Sequence, residues 1–158
     1  MDTLFRLTAI EEIKALKARY FRANDTKDRA LLHSCFTPDI SLDARGATTD
    51  PVTGVNAAPE LTDKVYKGID TVLDVVFAGL QGTTTVHQAC LPEIAIQSES
   101  AATGVWALFD TLLFSKGPVS QLTGYGHYHD TYVRVGEEWK IKAVKITRLR
   151  LDITERER

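Results

Sequence analysis

Two ionisable residues, His87 and Asp110, interrupt apolar stretches in the second half of the sequence. An aspartate beside Phe109 and a run of leucines is costly to bury without a hydrogen-bond donor. Alternation along a strand places Trp106, Leu108 and Asp110 on one face. We therefore expect His87 to donate a hydrogen bond to Asp110, which leaves its second ring nitrogen free as a base or acid. The alternative is that each is satisfied separately, His87 by a carbonyl and Asp110 by water.

Tyr20 and Asp25 end the first predicted helix, and two arginines lie in the last predicted strand. Tyr20 could be a core residue with a satisfied hydroxyl, and Asp25 could cap the following helix. Arg148 and Arg150 alternate with leucines, which directs both to one face of the strand. Such a face is usually solvated, but a closed sheet would allow one arginine to pair with Asp25 or an anionic substrate.

His127 and His129 share a face of another predicted strand, as some metal ligands do. Because no third ligand stands at a recognisable spacing, we expect no metal. The sequence also lacks a glycine-rich phosphate loop, a nucleophile elbow and a cysteine–histidine signature. We therefore expect no cofactor.

The elements that must position these residues begin with helices. Apolar residues at helical spacing predict a first helix over residues 9–24, begun by a capping box at Thr8. A short second helix is expected after Thr26 or Asp28, either of which could cap it. A third helix is predicted around residues 72–80.

Residues 84–151 are predicted to be almost entirely strand, because this segment is rich in β-branched and aromatic residues and has an alternating pattern. A short strand is also expected at residues 40–44, and the loop-like segment 46–63 is long enough to be functional or mobile. Helices followed by strands predict the α+β class with an antiparallel sheet. A chain of 158 residues suits one such domain, spanning residues 1–158.

Composition limits the classes of partner. With 44% apolar and 25% charged residues, the sequence is typical of a globular protein without a membrane span. A net charge of −2 argues against a nucleic-acid binder, which usually needs a basic surface. Cys35 and Cys90 do not make a disulfide framework, and the N-terminal residues lack a signal-peptide pattern. We therefore expect a cytoplasmic protein whose partner is a small molecule.

Two segments of the sequence resemble SnoaL-like proteins of the nuclear-transport-factor-2-like superfamily. Residues 13–25, followed by Asp28 and Phe36, resemble their first helices. Residues 126–132, running into 138–141, resemble a late part of their sheet. The resemblance implies a cystatin-like cone, in which three N-terminal helices close a curved antiparallel sheet around one ligand pocket.

The resemblance to the dehydratase branch of this superfamily also implies a set of catalytic residues. A tyrosine and an aspartate end the first helix in that branch, a strand histidine and an aspartate follow, and an arginine stands in the last strand. The matching residues here are Tyr20, Asp25, His87, Asp110 and Arg150, with Arg148 as the alternative to Arg150.

We therefore expect a cofactor-independent dehydratase, a lyase that removes water from a small cyclic or aromatic hydroxy-carbonyl compound. In this hypothesis His87 takes the proton, Asp110 raises its basicity and Tyr20 donates to the carbonyl. Asp25 acts as a second acid or orients the leaving hydroxyl, and Arg150 binds Asp25 or a substrate carboxylate. The expected pocket walls are Trp106, Leu108, Phe77 and Val76.

Two other functions fit the same pattern. One is a ketosteroid-type isomerase, which abstracts a proton and returns it without expelling a group. The other is a non-catalytic ligand-binding or assembly subunit, because one fold hosts many functions. Large residues on both faces of the strand around Tyr128 and Tyr132, together with the resemblance, predict a homodimer or homotrimer built on the outer face of the sheet.

Overall fold

Four helices and two short strands precede four long strands along the chain in the computed structural model, which describes residues 2–157. The helices are α1 (Thr3–Asp25), α2 (Arg29–Cys35), the single turn α3 (Pro59–Thr62) and α4 (Ile69–Leu80). The strands are β1 (Phe36–Asp43), β2 (Val65–Lys67), β3 (Thr83–Ile96), β4 (Ala101–Phe114), β5 (Val119–Val135) and β6 (Glu138–Glu155). No helix within residues 2–157 is long and apolar enough to cross a membrane.

All six strands belong to one curved, unclosed sheet in the order β2-β1-β6-β5-β4-β3. The four long strands β3 to β6 pair antiparallel through short connections, as predicted. Strand β1 runs parallel to β6, so the expectation of a wholly antiparallel sheet is wrong at this pair. A parallel pair needs a long connection, and most of the chain separates β1 from β6. The α+β class and the curved sheet are confirmed.

Helix α1 is longer than predicted, and the capping box at Thr8 is wrong. The helix begins at Thr3, so Thr8 lies inside it, and the N-cap residue Asp2 makes no side-chain capping bond. Phe5 packs against the core, so the apolar stripe of the helix begins one turn closer to the N-terminus than residue 9. Between α1 and α2, Asp28 is the cap that forms, since its side chain accepts a hydrogen bond from the Leu31 amide at 2.9 Å.

The concave face of the sheet is divided between a packed core and a cavity. Ile13 and Leu16 of α1 share one buried cluster with Trp106 of β4 and Tyr132 of β5. Along β4 the even-numbered residues from 102 to 110 are buried and the odd-numbered ones are more exposed, which places Asp110 on the concave face. The alternation predicted for this strand is therefore observed.

Register shifts in β3 and β6 change which residues of these strands face inward. In β3 the register shifts between Cys90 and Glu93, and the residues on both sides of Pro92 belong to this one strand. In β6, Arg148 pairs with Gly126 and Arg150 pairs with Tyr125, which leaves Leu149 as the extra residue. An extra residue of this kind reverses the alternation that follows it.

The segment 46–63 folds against the open edge of the cavity, and it contains α3. Asp50 anchors it, because its carboxylate accepts from the Leu151 amide at 3.2 Å and from the Thr53 amide at 2.9 Å. Thr48 donates to the Asn56 side chain at 2.7 Å and ties the two sides of the segment together. The segment is therefore a hydrogen-bonded wall of the cavity.

Candidate active site

A cavity of about 340 Å³ lies between the concave face of the sheet, the end of α1, helix α4 and the segment 46–63. This volume is at the lower end of the range for small-molecule sites. Most of the lining is apolar, including Leu112, Leu122 and Ile146. The polar side chains that reach it from α1 and from strands β3 to β6 are those of Tyr20, Asn24, His87, Asp110, Tyr128 and Arg148.

His87 is bound to Asp25, the last residue of α1. Its Nδ1 lies 2.6 Å from Asp25 Oδ1, and its backbone amide donates to Asp25 Oδ2 at 3.0 Å. The Thr85 hydroxyl donates to the same carboxylate at 2.9 Å. Partial burial raises the pKa of Asp25, but the hydrogen bonds from His87 and Thr85 outweigh it and lower the pKa below its usual value. The carboxylate is therefore ionised, so it can only accept, and Nδ1 carries the proton.

This tautomer leaves Nε2 of His87 with a lone pair. His87 lines the cavity, and Nε2 has no hydrogen-bond partner among the residues that the structure describes. The ring of Phe21 lies parallel to the imidazole, with 11° between the planes. An imidazole oriented by a carboxylate and open at its second nitrogen can act as a general base.

Asp110 is bound to Arg148, and the predicted hydrogen bond between His87 and Asp110 is wrong. Arg148 Nη1 and Nη2 donate to the two oxygens of Asp110 at 2.8 and 2.9 Å, with both side chains almost fully buried. His87 and Asp110 are register partners on β3 and β4. They nevertheless take separate partners, because a guanidinium offers Asp110 two parallel donors and Asp25 already occupies Nδ1.

The arginine that enters the cavity is Arg148, and the choice of Arg150 is wrong. The extra residue Leu149 reverses the alternation, so Arg150 points out and donates to Asp152 at 2.6 Å. Arg148 also donates from Nε to the Ala47 carbonyl at 2.7 Å, which connects the pair to the segment 46–63.

A glycine on the neighbouring strand makes room for this ion pair. A Cβ atom at Gly124 would collide with both the Arg148 guanidinium and the Asp110 carboxylate. Gly124 pairs in register with Asp110 across β4 and β5. The ion pair therefore requires glycine at this position, and this requirement was not predicted from the sequence.

Two tyrosine hydroxyl groups belong to the cavity lining, of which only Tyr20 was predicted. Tyr128 comes from β5, and its ring meets that of Tyr20 edge to face with centroids 6.2 Å apart. Burial raises the pKa of both phenols well above the ordinary value, so both stay protonated and can donate. The inward parity of β5, marked by Gly124 and Gly126, was the sequence signal that could have identified Tyr128.

Several other predicted site residues lie elsewhere. Asp25 contacts Nδ1 of His87 but is not one of the residues that line the cavity. Of the four predicted wall residues only Val76 lines it. Trp106 and Leu108 face α1, where Trp106 donates to the Tyr132 hydroxyl at 2.9 Å, because α1 covers that half of the sheet. Phe77 packs beneath the Arg29 guanidinium.

No cluster of three or more histidine, cysteine, aspartate or glutamate residues suited to a metal occurs within residues 2–157. His127 and His129 lie on the outer face of β5, with ring centroids 6.3 Å apart. His129 Nε2 is 2.9 Å from the Thr147 hydroxyl. This histidine pair is separate from the cavity.

Similar proteins carry the same fold. A candidate scytalone dehydratase from Novosphingobium aromaticivorans superposes with a TM-score of 0.78 at 18% identity, covering 99% of this chain and 94% of that one. A hexachlorocyclohexane dehydrochlorinase from Novosphingobium barchaimii gives 0.74 at 17%, covering 96% and 94%. A protein with a cystatin-like fold from Caulobacter vibrioides gives 0.65 at 18%, covering 89% of each. The family model for the SnoaL-like domain matches residues 6–145, so this chain belongs to the SnoaL-like family.

Proposed function

We propose that the protein is a cofactor-independent lyase that eliminates water from a small cyclic or aromatic hydroxy-carbonyl compound. The observation that carries the proposal is the Asp25–His87 pair, in which a cavity-lining imidazole is oriented by a carboxylate at 2.6 Å. Two protonated tyrosines share the cavity with it. A base beside neutral hydrogen-bond donors is the arrangement that proton abstraction next to a carbonyl requires.

The reaction would begin at His87. Its Nε2 removes a proton from the carbon beside the substrate carbonyl, and the electrons of that C–H bond form an enolate. Tyr20 and Tyr128 donate hydrogen bonds to the enolate oxygen, and Asp25 stabilises the imidazolium that forms. The enolate then re-forms the carbonyl, a C=C bond forms and the C–O bond breaks. The proton on His87 passes to the departing hydroxyl, which leaves as water.

Asp110 and Arg148 would fix the wall of the cavity. Arg148 already donates from all three of its nitrogens, two to Asp110 and one to the Ala47 carbonyl. Its charge is therefore compensated before a ligand arrives, which favours a neutral substrate over a carboxylate. The apolar lining and modest volume of the cavity support a molecule of about two rings.

The similar structures support an elimination. One is named as a candidate scytalone dehydratase and another as a hexachlorocyclohexane dehydrochlorinase. These names denote the loss of water and of hydrogen chloride. Both reactions remove a hydrogen from carbon together with a leaving group, which is the chemistry proposed for His87.

The proposal is tested with a panel of cyclic β-hydroxyketones. Formation of the conjugated enone is followed by absorbance, and exchange of the proton beside the carbonyl is followed by NMR in deuterated water. We expect His87→Gln to lower both rates by about two to four orders of magnitude. His33→Gln is the matched control, because His33 is exposed on α2. Exchange without enone would show enolisation without elimination, contrary to the proposed lyase, and unchanged rates in His87→Gln would refute the assignment of the base.

A further inference from the structure

Lys17 and Asp130 form a fully buried ion pair that the elimination does not use. Lys17 Nζ lies 2.7 Å from Asp130 Oδ2, and the two side chains are 1% and 0% exposed. Burial lowers the pKa of Lys17, and the neighbouring Asp130 opposes this change. Replacing such a pair by apolar residues is often neutral or stabilising. Stability alone therefore does not account for it.

The ammonium group of Lys17 lies against three aromatic rings. Its distance is 3.8 Å to the centroid of Tyr128, 4.5 Å to that of Tyr20 and 5.0 Å to that of Phe21. Tyr20 and Tyr128 are the two tyrosines of the cavity, and Phe21 is the ring parallel to His87. The buried cation therefore contacts the residues that surround the proposed base.

A chain of hydrogen bonds fixes the anionic partner. The Tyr132 hydroxyl donates to Asp130 Oδ2 at 2.7 Å, and the Trp106 indole donates to the Tyr132 oxygen at 2.9 Å. Asp130 Oδ1 has no hydrogen-bond partner among residues 2–157. The carboxylate is thus held on the side of Tyr132, while the ammonium faces the rings of Tyr20 and Tyr128.

We propose that Lys17 is a positioning residue that strengthens the Tyr20 and Tyr128 hydroxyls as donors to an oxyanion in the cavity. A cation over an aromatic face attracts its π-electrons. Electron density is drawn from the phenol oxygen, and the O–H group becomes a better donor. The relevance of this effect to catalysis rests on the proposed function, whereas the effect on anion binding does not.

The probe is 4-nitro-1-naphthol, whose ionised form resembles an enolate in carrying its charge on an oxygen attached to a flat ring. Its nitro group allows ionisation below neutral pH, so the ionised form is tested without the alkaline pH at which a buried lysine of lowered pKa loses its proton. Binding is measured by absorbance at pH values that favour the neutral or the ionised form. Lys17→Met combined with Asp130→Asn removes both buried charges and leaves no unpaired ion. We expect the affinity for naphtholate to fall about tenfold while that for neutral naphthol is unchanged. Lys14→Met is the control on the same helix, since Lys14 pairs only with exposed Glu11.

Lys17→Gln with Asp130→Asn provides a second uncharged pair that can still hydrogen-bond. It must give the same selective loss of naphtholate affinity. Equal losses of affinity for neutral and ionised naphthol would overturn the proposal, because they would show a purely structural role. No loss of affinity for either form would also overturn it. Because binding is measured without turnover, the result stands even if no hydroxyketone is dehydrated.

Discussion

Asp25 contacts His87 through both of its carboxylate oxygens, one at the imidazole Nδ1 (2.6 Å) and the other at the backbone amide (3.0 Å). One residue of α1 thus binds both the side chain and the backbone of His87. A single hydrogen bond to the ring would orient the imidazole without tying the strand backbone to the helix. The two contacts together couple the end of α1 to the edge strand of the sheet.

Asp25→Asn is expected to reduce activity strongly while the protein stays folded. The amide can still occupy the position, but it carries no charge to stabilise an imidazolium and can select the wrong tautomer. We predict a loss of about two orders of magnitude or more in kcat, measured as enone formation from the best substrate of the panel. Asp74→Asn is the control, because Asp74 is exposed and pairs only with Arg29. Equal rates for wild type and Asp25→Asn would contradict this role.

Asp25 also predicts a pH dependence of stability. Its pKa is lower in the folded protein than in the unfolded chain, so its contribution to stability is present above the unfolded value and is lost as pH falls through the folded value. Wild type should therefore lose more free energy of unfolding than Asp25→Asn between about pH 6 and pH 3. Urea titrations of both proteins at the two pH values measure the difference. Parallel losses would show that Asp25 contributes nothing to acid sensitivity.

The two arginines of β6 should differ sharply when replaced. Arg148→Met leaves the buried Asp110 carboxylate unpaired, and we expect a loss of about 3–5 kcal/mol in the free energy of unfolding. Arg150→Met removes an exposed side chain and should leave stability nearly unchanged. Denaturant unfolding of the two variants side by side checks the expectation. A similar loss in both would mean that Arg148 is not the buried partner.

Gly124→Ala tests the space that the Asp110–Arg148 pair occupies. The added methyl group would displace both side chains, so we expect it to destabilise the protein and to weaken ligand binding in the cavity. Gly79→Ala is the control for stability alone, because a Cβ there meets no atom within 4 Å but the residue lines the cavity. Thermal unfolding, together with naphthol binding, measures both effects. Wild-type stability and binding in Gly124→Ala would show that the Asp110–Arg148 pair can move aside without loss of either.

The prediction of a homodimer or homotrimer stays a prediction. On the outer face of the sheet Phe109 and Tyr125 are 39% and 40% exposed, and their ring centroids are 5.4 Å apart. Exposed Val86 and Leu113 lie on the same face of β3 and β4. A second copy of the chain that covered this face would bury these side chains. Sedimentation at micromolar concentration should show more than a monomer, and Tyr125→Arg should shift it toward the monomer.

Alternation along β4 placed Asp110 on the correct face, because side-chain direction depends only on local backbone geometry. It could not give the partners of Asp110 and His87. The choice between Asp25 and Asp110 for His87 depends on where α1 ends relative to β3, which is a tertiary distance. The parity of β5 marks Tyr128 as inward, but whether an inward residue lies in the core or at the cavity depends on how much of the sheet α1 covers.

The wrong arginine was predicted to enter the cavity because a pattern that repeats every two residues does not reveal an extra residue in a strand. Nothing in the sequence from Thr147 to Leu151 distinguishes a regular strand from one with Leu149 unpaired. The bulge lies beside Gly126 of β5, which approaches the Thr147 carbonyl too closely to accept a side chain. Sequence resemblance supplied the fold and the residue types, and the register of the last strand decided which of them point inward.

The extra residue in β6 has an evolutionary consequence. Arg148 faces inward before Leu149 and Leu151 faces inward after it, so a deletion of Leu149 would keep both residues on the concave face while straightening the strand. A lineage could thus change the curvature of the sheet, and with it the shape of the cavity, without replacing any residue that lines it. Among descendants of such a protein, differences in substrate would then correlate with single-residue gaps in the last strand rather than with substitutions at the site.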